Sequence, residues 1–169
     1  MRRVPKHGGG AGFSLIEAVV SVGVLAVAVP VVMAAMMRSS ETSALARAES
    51  RSPGMVAVCL GEIEEAREGR SRLLDPIPEV GEFPAGGGLA AIAFTGEGRV
   101  AGRVEAADYE QGVGRMNGEP VLYLVRIDGR PEQVRSDGRP MRSVRIAVEY
   151  PARTPAEHRR ELEFYSRMP

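Results

Sequence analysis

Glu17 stands directly ahead of some twenty almost wholly apolar residues, Ala18 to Met37. An isolated carboxylate in such a segment costs about 2.5–3.5 kcal/mol to place at the centre of a bilayer, even on the lenient insertion scale. It therefore asks for a partner of opposite charge. Elsewhere the residue types that do chemistry are sparse. His7 lies near the N-terminus, and His158 sits in the charged run Glu157-His158-Arg159-Arg160, which reads as a solvated loop. Cys59 is the single cysteine, so it forms no internal disulfide, and its spacing assigns it to a packed helix face as a small apolar residue. Asp108 and Glu110 flank Tyr109 at a predicted strand end, where two alternating acids either join a calcium site or simply stand exposed. Glu64 and Glu65 are a helix surface, not an acid/base pair. No His/Cys cluster has metal-ligand spacing, and no serine sits in a nucleophile elbow. Gly86-Gly87-Gly88 lacks the Lys-Ser/Thr and the helix that a phosphate cradle needs. The expectation is a chain with no catalytic residue, no metal and no cofactor, and not an enzyme.

Met1 to Gly12 is basic and glycine-rich, carrying Arg2, Arg3, Lys6 and His7 ahead of Gly8-Gly9-Gly10-Ala11-Gly12. An ordinary secretory signal places its small-residue cleavage site after the apolar region. Here the glycine-rich candidate precedes it, so a cut between Gly12 and Phe13 leaves the apolar segment on the mature chain. The positive-inside rule keeps the leader cytoplasmic and sends the chain beyond Met37 across the membrane. Three of the 22 Lys plus Arg leave with the leader, and the remaining 19 face 22 Asp plus Glu, a net −3. That balance excludes a nucleic-acid-binding surface.

The basic leader, then Gly12-Phe13-Ser14-Leu15-Ile16-Glu17, then an unbroken apolar run resemble the class III signal of type IV pilins and type II secretion pseudopilins. The motif covers about 30 residues, and it is specific because identity, order and hydropathy must agree together. The resemblance implies cleavage after Gly12 by a prepilin peptidase and methylation of the Phe13 amine. It also implies that Glu17 pairs with the Phe13 amine of a neighbouring subunit. Opposite charges brought together in a low-dielectric bundle neutralise each other, and a mispaired subunit leaves both unpaired. The partners implied are other pilin or pseudopilin subunits, an inner-membrane assembly platform with its ATPase, and membrane lipid. The implied location is the inner membrane, single-pass, with the C-terminal domain periplasmic or extracellular, and a filament after assembly. Gly61-Glu62-Ile63-Glu64-Glu65-Ala66-Arg67 looks most like the minor-pilin and I-type pseudopilin branch. The lone Cys59 departs from the C-terminal disulfide of many pilins. Taken alone, Glu17 also fits the first turn of an uncleaved signal-anchor helix, where the helix dipole favours a negative group. The alternative function is then a bitopic, membrane-anchored periplasmic binding protein.

The expected organisation is a leader (1–12), a transmembrane and assembly helix (13–38), an amphipathic continuation (39–70) and a periplasmic sheet domain (71–169). Pro30 falls in mid-span, and Gly23 and Ala26 offer small-residue contacts there. Ala44, Leu45, Ala48, Val56, Cys59, Leu60, Ile63 and Ala66 fall at helical spacings with a charged opposite surface, which predicts a half-buried helix. Ser52-Pro53-Gly54 predicts a kink or break in it. Residues 71–88, rich in proline and glycine, predict a connecting loop. Period-two alternation predicts strands at Val121–Asp128 and Val144–Tyr150, with further strands at Leu89–Thr95, Arg99–Tyr109 and Arg160–Tyr165. Asp128-Gly129 and Asp137-Gly138 supply turn chemistry between the first two. The fold class is α+β, a long N-terminal helix against a four- or five-stranded antiparallel sheet.

Overall fold

One helix, α1 (Leu15–Arg67), takes up 53 residues. The computed structural model describes residues 14–78, 82–84, 88–131 and 142–168. At its start the Ser14 carbonyl accepts the Ala18 N–H at 3.1 Å. Its end is a Schellman turn, in which the Gly69 N–H bonds the Ala66 carbonyl at 3.1 Å and the Arg70 N–H bonds the Glu65 carbonyl at 2.8 Å. Gly69 has φ +69°, a conformation it adopts without a Cβ penalty.

The chain divides into two compact units, Met1–Leu45 and Ala46–Pro169. In the second unit, α1 buries Ala48, Ser52, Met55, Cys59, Ile63 and Ala66, one stripe with steps of three and four. This corrects the expected stripe in detail. Ala44 is exposed, Leu45, Val56 and Leu60 are half-buried, and Ser52 and Met55 are buried. The break expected at Ser52-Pro53-Gly54 does not form either, because α1 runs through all three residues. Pro53 withdraws one backbone donor, yet Ser52 and Met55 on either side of it are both held in the buried stripe. The Ser52 hydroxyl stays satisfied by donating to the Ala48 carbonyl at 2.5 Å.

After a loop come β1 (Ala91–Phe94), β2 (Val100–Arg103), α2 (Ala106–Gln111), the hairpin β3 (Arg115–Met116) and β4 (Glu119–Pro120), β5 (Tyr123–Pro131), β6 (Arg142–Tyr150) and β7 (Arg160–Met168). Five strands form one antiparallel sheet in the order β2-β1-β5-β6-β7. The protein is thus an α+β fold, a long helix packed against a five-stranded antiparallel sheet. Register puts like with like on the α1 side: Ile92 opposite Val125, Val125 opposite Val148, and Ile146 opposite Phe164. Arg51 of α1 donates to the Glu97 carbonyl in the β1–β2 turn at 3.0 Å, tying helix to sheet. The opposite sheet face carries a second, smaller core in which Ala91, Ala93 and Leu124 meet Tyr109, Val113 and Ala152.

Two strand predictions need correction. Arg99–Tyr109 is not one strand: β2 ends at Arg103 and α2 begins at Ala106. Ala106-Ala107-Asp108-Tyr109-Glu110-Gln111 lacks both β-branched residues and period-two alternation, and its alanines favour a helix that drops Tyr109 into the small core. Asp128-Gly129 is not a turn but lies inside β5, paired with Arg145 and Val144. Asp137-Gly138 lies outside the described residues. The other weak strands hold with shifted limits, β1 being shorter than expected and β7 longer.

Candidate functional site

Within the first unit the large apolar side chains from Leu15 to Met37 are all exposed, from 50% at Val29 to 83% at Leu15. Fourteen of them, counted from Leu15 to Met37, stand uncovered by this chain. At about 1.5–3 kcal/mol per buried side chain, removing such a set from water is worth on the order of 20–40 kcal/mol. No other effect at this surface competes with that term, and burial in lipid or against other helices would satisfy it. This is the one helix among the described residues long and apolar enough to cross a membrane. Pro30 does not interrupt it, and a Cβ at Gly23 would meet nothing within 4 Å.

Glu17 lies in the first turn of this helix and is exposed. The Ser21 hydroxyl donates to the Glu17 backbone carbonyl at 2.7 Å, which leaves the carboxylate unengaged by that neighbour. Among the described residues no ion pair reaches it. The N-terminal dipole of α1 favours a negative group here. Gly12 and Phe13, the expected cleavage and methylation positions, lie outside the described residues.

The remaining candidates separate in space. Asp108 and Glu110 are exposed on α2 rather than at a strand end. Two positions apart on a helix, they leave it on opposite sides, which does not converge on one cation. No group of three His, Cys, Asp or Glu among the described residues could hold a metal. His158 is exposed beside Glu157, with Nδ1 3.3 Å from the carboxylate. Glu64 and Glu65 are exposed on α1. Cys59 is fully buried on the α1 stripe, and burial, then the Glu62 charge, push its thiol up to about 12. Because the thiolate is the nucleophile, the folded protein at pH 8 should resist iodoacetamide under conditions that alkylate the urea-unfolded chain completely. The raised pKa favours the folded state below the unfolded thiol's 9.0, and that contribution is lost between pH 9 and about 12.

One constellation escaped the sequence analysis. Glu149 of β6 and Arg159, just before β7, pair at 3.0 Å with side chains only 5% and 1% exposed. The Tyr109 hydroxyl donates to the other Glu149 oxygen at 2.5 Å, and Arg126 Nη1 donates to the same hydroxyl at 3.3 Å. Arg159 also donates from Nε to the Thr154 carbonyl at 2.7 Å and from Nη2 to the Tyr109 carbonyl. Its guanidinium lies 4.7 Å from the Tyr109 ring centre. Burial, then the Glu149 carboxylate, raise the Tyr109 phenol above its ordinary value. Every polar atom of the pair is used internally, so the network clamps α2 and the 151–159 segment onto β6 and leaves nothing to react. The local backbone agrees: the Val113 N–H bonds the Ala152 carbonyl at 2.8 Å, and a Cβ at Gly112, φ +98°, would come within 2.6 Å of the Arg153 carbonyl oxygen. In sequence Glu149 looks like any outward strand residue, and Arg159 like part of a solvated run.

No protein family, curated protein or solved structure matches this chain.

Proposed function

We propose that the chain is a pilin-like structural subunit, a minor pilin or pseudopilin, cleaved after Gly12 and methylated on Phe13. It assembles through its apolar N-terminal helix into a type IV pilus or a type II secretion pseudopilus. The observation that carries this is α1 itself: one continuous helix exposes Leu15 to Met37, places Glu17 at their head with no ion pair among the described residues, and packs its later turns on a sheet. The Gly12-to-Glu17 signal supplies the processing step. A long helix with separate apolar and domain-bound stretches suits a bundle of helices with sheet domains outside it. In that bundle Glu17 meets the Phe13 amine of the next subunit, and register is set because a mispaired charge in low dielectric costs several kcal/mol. Leaving the bilayer requires compensation from helix packing and from the work of an assembly ATPase.

The testing experiment is intact-mass and N-terminal peptide analysis of the membrane-associated protein from its host. The expected result is a chain that starts at Phe13 and carries one added methyl. A chain that retains Met1 to Gly12 overturns the proposal and leaves the membrane-anchored binding protein.

A further inference from the structure

The apolar run of α1 and the part of α1 that packs on the sheet are not adjacent. The run ends at Met37, and the first α1 residue buried in the sheet unit is Ala48. Between them Ser39, Thr42, Ser43, Ala44, Ala46 and Arg47 are exposed and Leu45 is half-buried, and the two compact units divide between Leu45 and Ala46. Ser39-Ser40-Glu41-Thr42-Ser43 sets four hydroxyl residues in five. Such residues bond nearby backbone groups in competition with the helix, as the Thr42 hydroxyl does by donating to the Arg38 carbonyl at 2.9 Å. With no described side chain buried from Arg38 to Arg47, these turns open at a cost well below that of unfolding the domain.

Directly behind the hydroxyl run stands Ala44-Leu45-Ala46, two small residues flanking a larger one. Signal peptidases cut after such a small-x-small triplet where it follows an apolar segment. The spacing has a physical reason: residues two apart lie on one face of an extended strand, so both small side chains enter a shallow cleft together while the middle one points away. Gly12 precedes the apolar run, whereas this triplet follows it, on the side of the membrane to which the positive-inside rule delivers the chain.

We infer that the peptide bond from Ala46 to Arg47 is a second processing site, hydrolysed by a signal peptidase of the small-x-small class, which releases the sheet unit from its anchor. Water adds across the bond, leaving a carboxylate on Ala46 and an amine on Arg47. The released chain keeps the whole buried stripe of α1 from Ala48 to Ala66 and the Arg51 bond to the Glu97 carbonyl, so its core is intact. It leaves behind the exposed apolar side chains of Leu15 to Met37, and with them the drive to stay in lipid. The inference rests on the reading of Leu15 to Met37 as a membrane span, and it is independent of cleavage at Gly12 and of filament assembly.

The test is intact-mass analysis of the soluble extracytoplasmic fraction and of the membranes from the host, carrying the wild-type chain, Ala44→Leu, Ala46→Leu or Ala46→Gly. The expected soluble species starts at Arg47. It should be lost in both leucine variants, whose exposed positions leave the fold unaltered, and kept in Ala46→Gly, which remains small at the cut. The inference is overturned if no soluble species starts at Arg47. It is also overturned if the leucine variants release that species as the wild type does, since a protease indifferent to the small residues then makes the cut. A full-length chain found only in the soluble fraction overturns the membrane reading and this inference with it. The start of the membrane-bound species, Phe13 or Met1, bears on the pilin-like reading alone.

Discussion

Glu17→Val is expected to leave membrane insertion and leader removal intact and to deplete the subunit from sheared filaments or the pseudopilus fraction by more than about a hundredfold. Valine removes the 2.5–3.5 kcal/mol penalty for a carboxylate in lipid, so the lone subunit is more comfortable in the bilayer than before. In the proposed filament, what it loses is the partner for a neighbour's amine. Stranding one member of a desolvated pair costs about 3–5 kcal/mol, roughly two to three and a half powers of ten in an assembly equilibrium. The two effects act in the same direction, against extraction and against docking. Glu17→Asp keeps the charge on a shorter arm and should fall between. Quantitative immunoblots of membrane and filament fractions read the outcome, and wild-type incorporation of the valine variant removes the pairing role from Glu17.

The second large effect is on stability. Arg159→Met leaves the Glu149 carboxylate buried with only the Tyr109 hydroxyl to hold it, since Arg126 lies a further residue away. Breaking a buried pair on one side costs about 3–5 kcal/mol, against a typical total of about 5–15 for a folded domain. The sheet domain should therefore melt far below wild type. Tyr109→Phe removes two hydrogen bonds, the one donated to Glu149 and the one accepted from Arg126, and should cost about 1–3 kcal/mol. The double replacement Glu149→Leu/Arg159→Met takes out both charges at once and should recover much of the loss, because the desolvation cost leaves with them. Thermal melts by circular dichroism in detergent, compared across the three variants, measure this. If Arg159→Met melts with the wild type, the clamp does not hold the domain together.

The asymmetry between these two predictions comes from how each site is encoded. Glu17 stands out because the apolar run behind it is contiguous, and a carboxylate at the head of twenty apolar residues is visible without any fold. The strands β5 and β6 were legible for a related reason, a period-two pattern sustained over seven or eight residues. Arg99–Tyr109 misled because Val100, Ala101 and Val104 are apolar at short spacing while the alanines after Glu105 favour a helix, and a short window does not separate the two. The Asn117-Gly118 turn, with φ +50° and +83°, was a readable hairpin signal that the flanking two-residue strands are too short to announce.

By itself the sequence determined the elements whose physics is local: the apolar length at the start of α1, the carboxylate of Glu17 at its head, and the alternation of the long strands. Only the tertiary structure decided which contacts join residues far apart in the chain. Tyr109, Arg126, Glu149 and Arg159 come from four separate segments, and no periodicity links them. It also decided that Pro53 continues a helix, since burial of Ser52 and Met55 outweighs one missing donor. And it decided that β2 and β7 stand at the two edges of the sheet, because strand order depends on pairing across the whole sheet rather than on the residues of any strand.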